Sequence, residues 1–522
     1  MTLPNQWLRN NYLALICGLA VLILAGILPV VGFLNSNDEF VFTGAAPMSR
    51  YDTATYYSWI EQARQGQIFF DSLYSSESRE NVFFHPLFLL MGWTAELLNV
   101  GNAVIYHLFR VLLGIIFLAV LYKFLKNFFT RNTDLLMALV VVALSSGVGW
   151  MGFVNSTDRW MPEFNIFLSI YQSPLNLFSL ILMILFFDRI YRFDLNSRDV
   201  LICVVLLSLL IISHPYIVVT CFLISLVYFG VNFNRLGFQS QTLRLITVWL
   251  LTFPALYWQI YVLSTDQGLG MWAFIETNVP SPGAVDYITG LGLLIPLATL
   301  GAGIAYRNKL INEYILILIW IAIIAGLLFY PGLERFQRKF SQGLQIPISI
   351  LSVLGLRWWL SNFQNFKIKN FAAAISIIVL ATGNIYLLIE QHELYSTPAK
   401  PFFISKSEYD ALDWLKHNTS KEDLMLSGIE LSNWIPAFAG RSVYAGHHDQ
   451  TISAQSKYSL LTAAMSRDSS QLEILIDNYN IDYIILDSEL RSISDTMQLD
   501  FKNINLVYRN DSIQVYRSVR HD

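Results

Sequence analysis

YLALICGLAVLILAGILPVVGF, residues 12–33, is 22 residues long and carries no charge. About 20 such residues cover the hydrocarbon thickness of a bilayer as a helix. The run follows Arg9 in the manner of a secretory signal. It exceeds a signal-peptide apolar core, however, and further runs follow it, so it reads as an uncleaved anchor. Working outward, comparable runs occur near 103–124, 132–150, 169–187, 199–213, 214–230, 243–263, 286–306, 311–330, 343–360 and 370–389. The expectation is a polytopic α-helical membrane protein of about eleven transmembrane helices. A twelfth run, 83–98, is interrupted at Pro86 and reads as a re-entrant or interfacial helix. The pair around Ser213-His214-Pro215 reads as two short spans joined by a turn.

Composition agrees. Of 522 residues, 54% are hydrophobic and only 14% charged, too few charges for an ordinary water-soluble surface. The net charge of -4 supplies no basic field, so no nucleic-acid partner is expected. Cys17, Cys203 and Cys221 all lie inside apolar runs and define neither a disulfide framework nor a metal site.

Basic residues fix the expected orientation. Arg9; Lys123, Lys126 and Arg131; Arg189, Arg192 and Arg198; Arg235 and Arg244; Arg307 and Lys309; and Lys367 and Lys369 fall at alternate connections. Basic connections stay cytoplasmic. Segments 34–102 and 151–168, the His214 turn, 264–285, 331–342 and everything after 390 therefore face the extracytoplasmic side, where the long polar sequence lies. Residues 1–389 form the expected membrane domain and 390–522 a small extracytoplasmic α/β domain. In the latter, Glu408–His417 and about 453–478 read as helices. Asp423–Ser427, Tyr483–Leu486, Ile504–Tyr508 and Ser512–Tyr516 read as strands, the last two forming a hairpin through Arg509-Asn510-Asp511.

The outer segments hold the candidate chemistry. Asp52 precedes a helical pattern from Ala54 onward, so it reads either as a helix N-cap or as a working carboxylate at the membrane face. His85-Pro86 opens the interrupted run, where a buried imidazole is costly unless paired or used. Asp158 and Glu163 flank the descent into the next span, and Gln172 enters it as a polar group facing either a cavity or a neighbouring helix. Arg335, Arg338 and Lys339 put three cations where the positive-inside rule disfavours them. They suit a phosphate or pyrophosphate, although anionic headgroups would attract them too. His447-His448-Asp449 tempts a metal reading, but adjacent histidines diverge on regular elements and no further ligand has telling spacing, so no metal site is assigned. Asn155-Ser156-Thr157 and Asn418-Thr419-Ser420 match glycosylation acceptors, a signal with weight only in a secretory pathway.

With Asp52, His85-Pro86, Asp158, Glu163 and the basic loop in view, the chain resembles the GT-C-fold glycosyltransferases. It is most similar to the bacterial protein mannosyltransferase and aminoarabinose transferase-like proteins, over about 12–389. The resemblance implies an inverting transfer of a sugar from a polyprenyl-phosphate donor to a glycan, lipid or protein acceptor at the outer face of a bacterial inner (plasma) membrane. It implies Asp52 as the essential acid or base, Asp158 as the second acidic residue with Glu163 as its rival, and Arg335, Arg338 and Lys339 at the departing phosphate. His85, His214 and Gln172 are further substrate-binding candidates; His85 stands where the family more usually has Pro. Some members use a divalent metal ion, and this chain shows no clear ligand set, so that cofactor stays open. A lipid-linked saccharide transporter or flippase, or a non-catalytic scaffold for surface-polymer assembly, are the alternatives. The former would predict internal repeats and broken mid-membrane helices.

Overall fold

A computed structural model describes residues 3–77, 80–235, 237–332, 336–466, 469–493 and 504–518. Every apolar run found in the sequence carries helix. Among the described residues, seven helices are long and apolar enough to cross a membrane: Tyr12–Leu34, Asn102–Leu125, Pro174–Tyr191, Phe238–Thr265, Ile311–Phe329, Gln337–Ser361 and Phe366–Ser396. The pair Ala284–Leu291 and Leu294–Arg307, bent by 79°, makes an eighth if it counts as one span. Pro86–Leu98, Asn132–Leu144 and Tyr216–Val231 are shorter apolar helices.

The chain divides into two compact units. The first comprises 1–28, 108–259 and 277–392. Within it, Leu294–Arg307 packs on Gln345–Ser361 at a glycine crossing. A Cβ on Gly301 would lie 1.9 Å from Leu351 O, and one on Gly355 2.1 Å from Leu297 O, so only glycine permits this approach. Two expected spans are shorter than their apolar runs. The run 132–150 leaves the helix after Leu144, because Ser146 N–H donates to Leu380 O at 2.7 Å and Gln345 Nε2 donates to Ser145 O at 2.6 Å. The run 169–187 divides at Ser173-Pro174. Pro174 has no N–H to continue the ladder, and Ser173 Oγ caps the new helix by accepting from Asn176 N–H.

The second unit comprises 29–107, 260–276 and 393–522, so the first expected outer loop and the C-terminal segment fold together. Strand β1 (Phe40–Phe42) pairs antiparallel with β2 (Phe403–Ser405). Strands β3 (Leu424–Leu426), β4 (Ser442–Val443), β5 (Tyr483–Leu486), β6 (Ile504–Arg509) and β7 (Gln514–Ser518) form a sheet of order β4-β3-β5-β7-β6. Its first three strands are parallel and the rest antiparallel. Leu424, Leu426, Ile484, Leu472 and Leu475 build its core. The expected strand at Ser512 begins at Gln514 instead, since Asn510 Oδ1 accepts from Ser512 N–H and Ile513 N–H and holds them in the turn. The helical pattern at 453–478 forms two helices, Ala454–Ser466 and Ser469–Tyr479. Helix Arg50–Arg64 packs on Pro86–Leu98 and on Ile429–Phe438.

Candidate functional site

Asp52 is not the N-cap that its position before Ala54 suggested. The helix starts at Arg50 with Ser49 in the cap position, so Asp52 lies in the first turn, where a carboxylate meets the positive end of the helix dipole. Its side chain is 31% exposed, enough to meet a substrate. His447, from the loop after β4, brings Nε2 to 3.7 Å from Asp52 Oδ1 while its own side chain is 1% exposed. That loop is stitched to the first-loop segment. Thr451 Oγ1 donates to Tyr74 O at 2.7 Å, Gln450 Nε2 to Thr55 Oγ1 at 2.8 Å, and Ser72 Oγ to Gln450 Oε1 at 3.0 Å. Gly446 keeps the approach to His447 close, because a Cβ there would lie 3.0 Å from Ser432 O, Tyr74 and Val443 at once. Tyr51 stands edge-on to the His447 and His448 rings and donates to Glu430 Oε1 at 3.2 Å.

His447, His448 and Asp449 each offer a ligand atom within 4.8 Å of the others, a spacing that tests the divalent ion some such enzymes use. The proton arrangement argues against it. Asp449 N–H donates to His447 Nδ1 at 3.2 Å, so the neutral ring carries its proton on Nε2. A metal needs an imidazole lone pair, and the ring turns its N–H toward Asp52 instead. The set as folded does not fit the ion.

The other unit holds a second cluster. The short helix Gln337–Ser341 presents Lys339 Nζ to Glu163 Oε1 at 2.9 Å, with the two side chains 16% and 8% exposed. Burial alone would raise the Glu163 pKa. The charges of Lys339 and Arg338 and the Lys339 hydrogen bond outweigh it and pull the carboxyl down to about 2. Arg338 lies over the Trp160 ring at 5.8 Å. His214 sits in the turn between Ser197–Ser213 and Tyr216–Val231; burial first and the Lys339 charge second lower its pKa to about 4, so it is neutral at neutral pH. Tyr216 packs on Phe336 at 4.9 Å. A fixed anion, two cations and the Trp160 ring thus share one locality, chemistry suited to holding a phosphate.

No protein-family model matches the sequence, and no curated protein matches it either. Solved structures match it across nearly its whole length. The archaeal oligosaccharyltransferase AglB from Archaeoglobus fulgidus, in complex with an inhibitory peptide and a dolichol-phosphate, superposes with a TM-score of 0.56 at 14% identity, covering 92% of this chain and 70% of that one. ArnT from Cupriavidus metallidurans, bound to undecaprenyl phosphate, gives 0.52 at 12% identity, covering 95% and 97%. The arabinofuranosyltransferase AftD from Mycobacteria gives 0.53 at 13%, covering 96% and 40%. The fold is that of the GT-C glycosyltransferases.

Within this GT-C fold the expected site residues fall into both units. Asp158, Glu163, Gln172, His214, Arg338 and Lys339 belong to the first, Asp52 and His85 to the second, and Arg335 lies outside the described residues. Asp158 is 3% exposed, and several donors converge on its carboxylate: Ser146 Oγ and Gly147 N–H at 2.9 Å on Oδ2, and Ser156 Oγ at 2.5 Å on Oδ1. Burial raises its pKa against the pull of these bonds, and the geometry ties two loops together. His85 is buried with its ring 4.4 Å from Phe88 and near Phe83 and Trp59. Gln172 is buried at the end of helix Ile166–Gln172. Sequence reasoning missed Asn165, Gln345 and Asn384, which form a buried network. Asn165 Nδ2 donates to Asn384 Oδ1 at 3.0 Å, and Ile166 N–H donates to Gln345 Oε1 at 2.7 Å. For Gln345 and Asn384 the available signal was a lone amide inside an apolar run.

Proposed function

We propose that this GT-C chain is an integral membrane glycosyltransferase that moves a sugar from a polyprenyl-phosphate donor to an acceptor hydroxyl, with inversion, at the extracytoplasmic face of a bacterial inner membrane. The observation that carries the reading is the likeness, over more than 90% of the chain, to transferases two of which were solved holding a polyprenyl phosphate. The acceptor hydroxyl gives its proton to Asp52 as its oxygen attacks the anomeric carbon. The bond from that carbon to the phosphate oxygen breaks with its electron pair on oxygen, and Arg338 and Lys339 neutralise the departing polyprenyl phosphate. Three features support these roles: the part-exposed Asp52 carboxylate, the His447 N–H facing it, and the part-buried cations beside Glu163. The eleven-span topology, with residues 390–522 outside, belongs to the same proposal.

The test is Asp52→Asn. Asn keeps the shape and serves a helix start about as well as Asp, whereas loss of a general base typically costs ~10²–10⁴ in rate. A deletion strain complemented at limiting protein level should lose its surface glycan or modified lipid. Wild-type product from Asp52→Asn would overturn the assignment.

A further inference from the structure

The protein turns the Nε2 side of one buried imidazole toward Asp52. His447 Nε2 is buried and has no hydrogen-bond partner among the described residues. A buried N–H without an acceptor costs ~1–3 kcal/mol, so its persistence asks for a use. Asp52 Oδ1 lies 3.7 Å from His447 Nε2. A movement of under ~1 Å would bring the pair to hydrogen-bond distance.

The ring cannot easily face elsewhere. Gln450 N–H and Thr451 N–H both donate to His447 O, at 3.0 and 2.8 Å, and close a turn around it. Gly446 N–H donates to Thr451 Oγ1 at 3.0 Å. Tyr74 and Tyr51 stand edge-on to the ring at 5.7 and 6.2 Å, and His448 lies parallel to it at 5.2 Å. The Asp449 N–H on Nδ1 settles which nitrogen carries the proton. Backbone, loop and rings therefore set both the direction and the tautomer of this donor.

We propose that His447 is the positioning residue for Asp52: through Nε2–H it holds the carboxylate in one rotamer, with the other oxygen turned to the acceptor hydroxyl. The inference rests on Asp52 being the base in the transfer proposed above. His447 does not itself touch the reacting atoms. As Asp52 takes the acceptor proton its charge falls and the His447 bond weakens, so the bond serves to aim the base before the step. A residue of the loop after β4 thereby makes the C-terminal sheet a condition of activity.

The experiment is a double-mutant cycle in the complemented deletion strain, reading surface glycan or modified lipid, with thermal unfolding of each purified variant alongside. Deleting the donor in His447→Ala should lower product formation by ~10–100-fold. His447→Gln, whose amide N–H reaches the Nε2 position, should restore most of it. Asp52→Asn/His447→Ala should be no worse than Asp52→Asn alone, because residues acting as a unit are not additive. Nitrogen-15 spectra of histidine-labelled protein should show His447 protonated on Nε2, with that signal moving in Asp52→Asn. Wild-type product from His447→Ala while Asp52→Asn is inactive would overturn the positioning role and leave the base assignment standing. Active Asp52→Asn would overturn both. A ring protonated on Nδ1, or Mn²⁺ bound to the wild type with its EPR signal lost in His447→Ala, would replace positioning by metal ligation.

Discussion

Removing the Glu163 carboxylate charge should destabilise the protein by several kcal/mol and removing its partner as well should restore most of the loss. The carboxyl is held at about 2 against an ordinary 4.5, and its side chain is 8% exposed. At ~1.4 kcal/mol per pKa unit that difference corresponds to about 3 kcal/mol. Because the folded pKa lies below the unfolded one, the contribution is complete above pH 4.5 and is lost as pH falls through about 2. Glu163→Gln takes the buried carboxylate away from the part-buried Lys339, and breaking one side of such a pair costs ~3–5 kcal/mol. Replacing both, as in Glu163→Gln with Lys339→Met, removes the mismatched charge as well and should return stability close to wild type. Thermal unfolding of nanodisc-embedded protein at neutral pH measures both variants. A Glu163→Gln melting point within the wild-type error, or a double variant below both singles, would refute the buried-pair account. The single variant should also bind polyprenyl phosphate more tightly, since Glu163 competes with a phosphate for Lys339. Unchanged affinity would separate the pair from donor binding.

Asp158→Ala should be more damaging than Asp158→Asn, because it strands the buried Ser146, Gly147 and Ser156 donors at roughly 1–3 kcal/mol each; equal melting points would show that the carboxylate is not a structural hub. Burial lifts the Asp487 carboxyl to about 6 from an ordinary 3.8, so its contribution to stability is full below pH 3.8 and disappears as pH rises through about 6; Asp487→Asn should flatten the melting-point profile across that window. Gly301→Ala forces a Cβ to within 1.9 Å of Leu351 O and should cost ~1–3 kcal/mol or more, read as a lower yield of folded protein; wild-type yield and melting point would mean the helix pair yields freely.

The helices were legible because a run of apolar residues is a property of the run itself. Their breaks were not, because Leu144 ends a helix only when Gln345 and Leu380 take over the next backbone groups. Four strands of the C-terminal segment could likewise be read locally, apart from the two residues that Asn510 holds in the turn, whereas β2 and β4, three and two residues long, are too short to carry an alternating pattern and went unread. The basic loop stood out in sequence by breaking the positive-inside rule, but that rule counts charges without their partners. Glu163, noted separately as a rival acid, turns out to be the countercharge of Lys339.

The same limit hid the neighbour of Asp52. Sequence spacing weighs ligands that are close along the chain, so His447-His448-Asp449 was judged alone and set aside. Folding adds Asp52 from the first helix of the second unit, at 3.7 Å from His447, and the Asp449 N–H turns a metal-like triplet into a fixed donor. The rest of the loop makes sense on that basis. Gln450 and Thr451 spend their side chains on Thr55, Ser72 and Tyr74, so the loop has the bonds of a brace rather than of an open binding surface. Its register is therefore tied to the helix that carries Asp52. Replacing Thr451 with Val, which keeps its shape and removes both the bond given to Tyr74 and the one taken from Gly446, should loosen His447 without touching either partner. If the brace argument holds, Thr451→Val lowers product formation in the manner of His447→Ala but to a smaller degree. A fully active Thr451→Val with a lowered melting point would show that the stitching serves the fold alone.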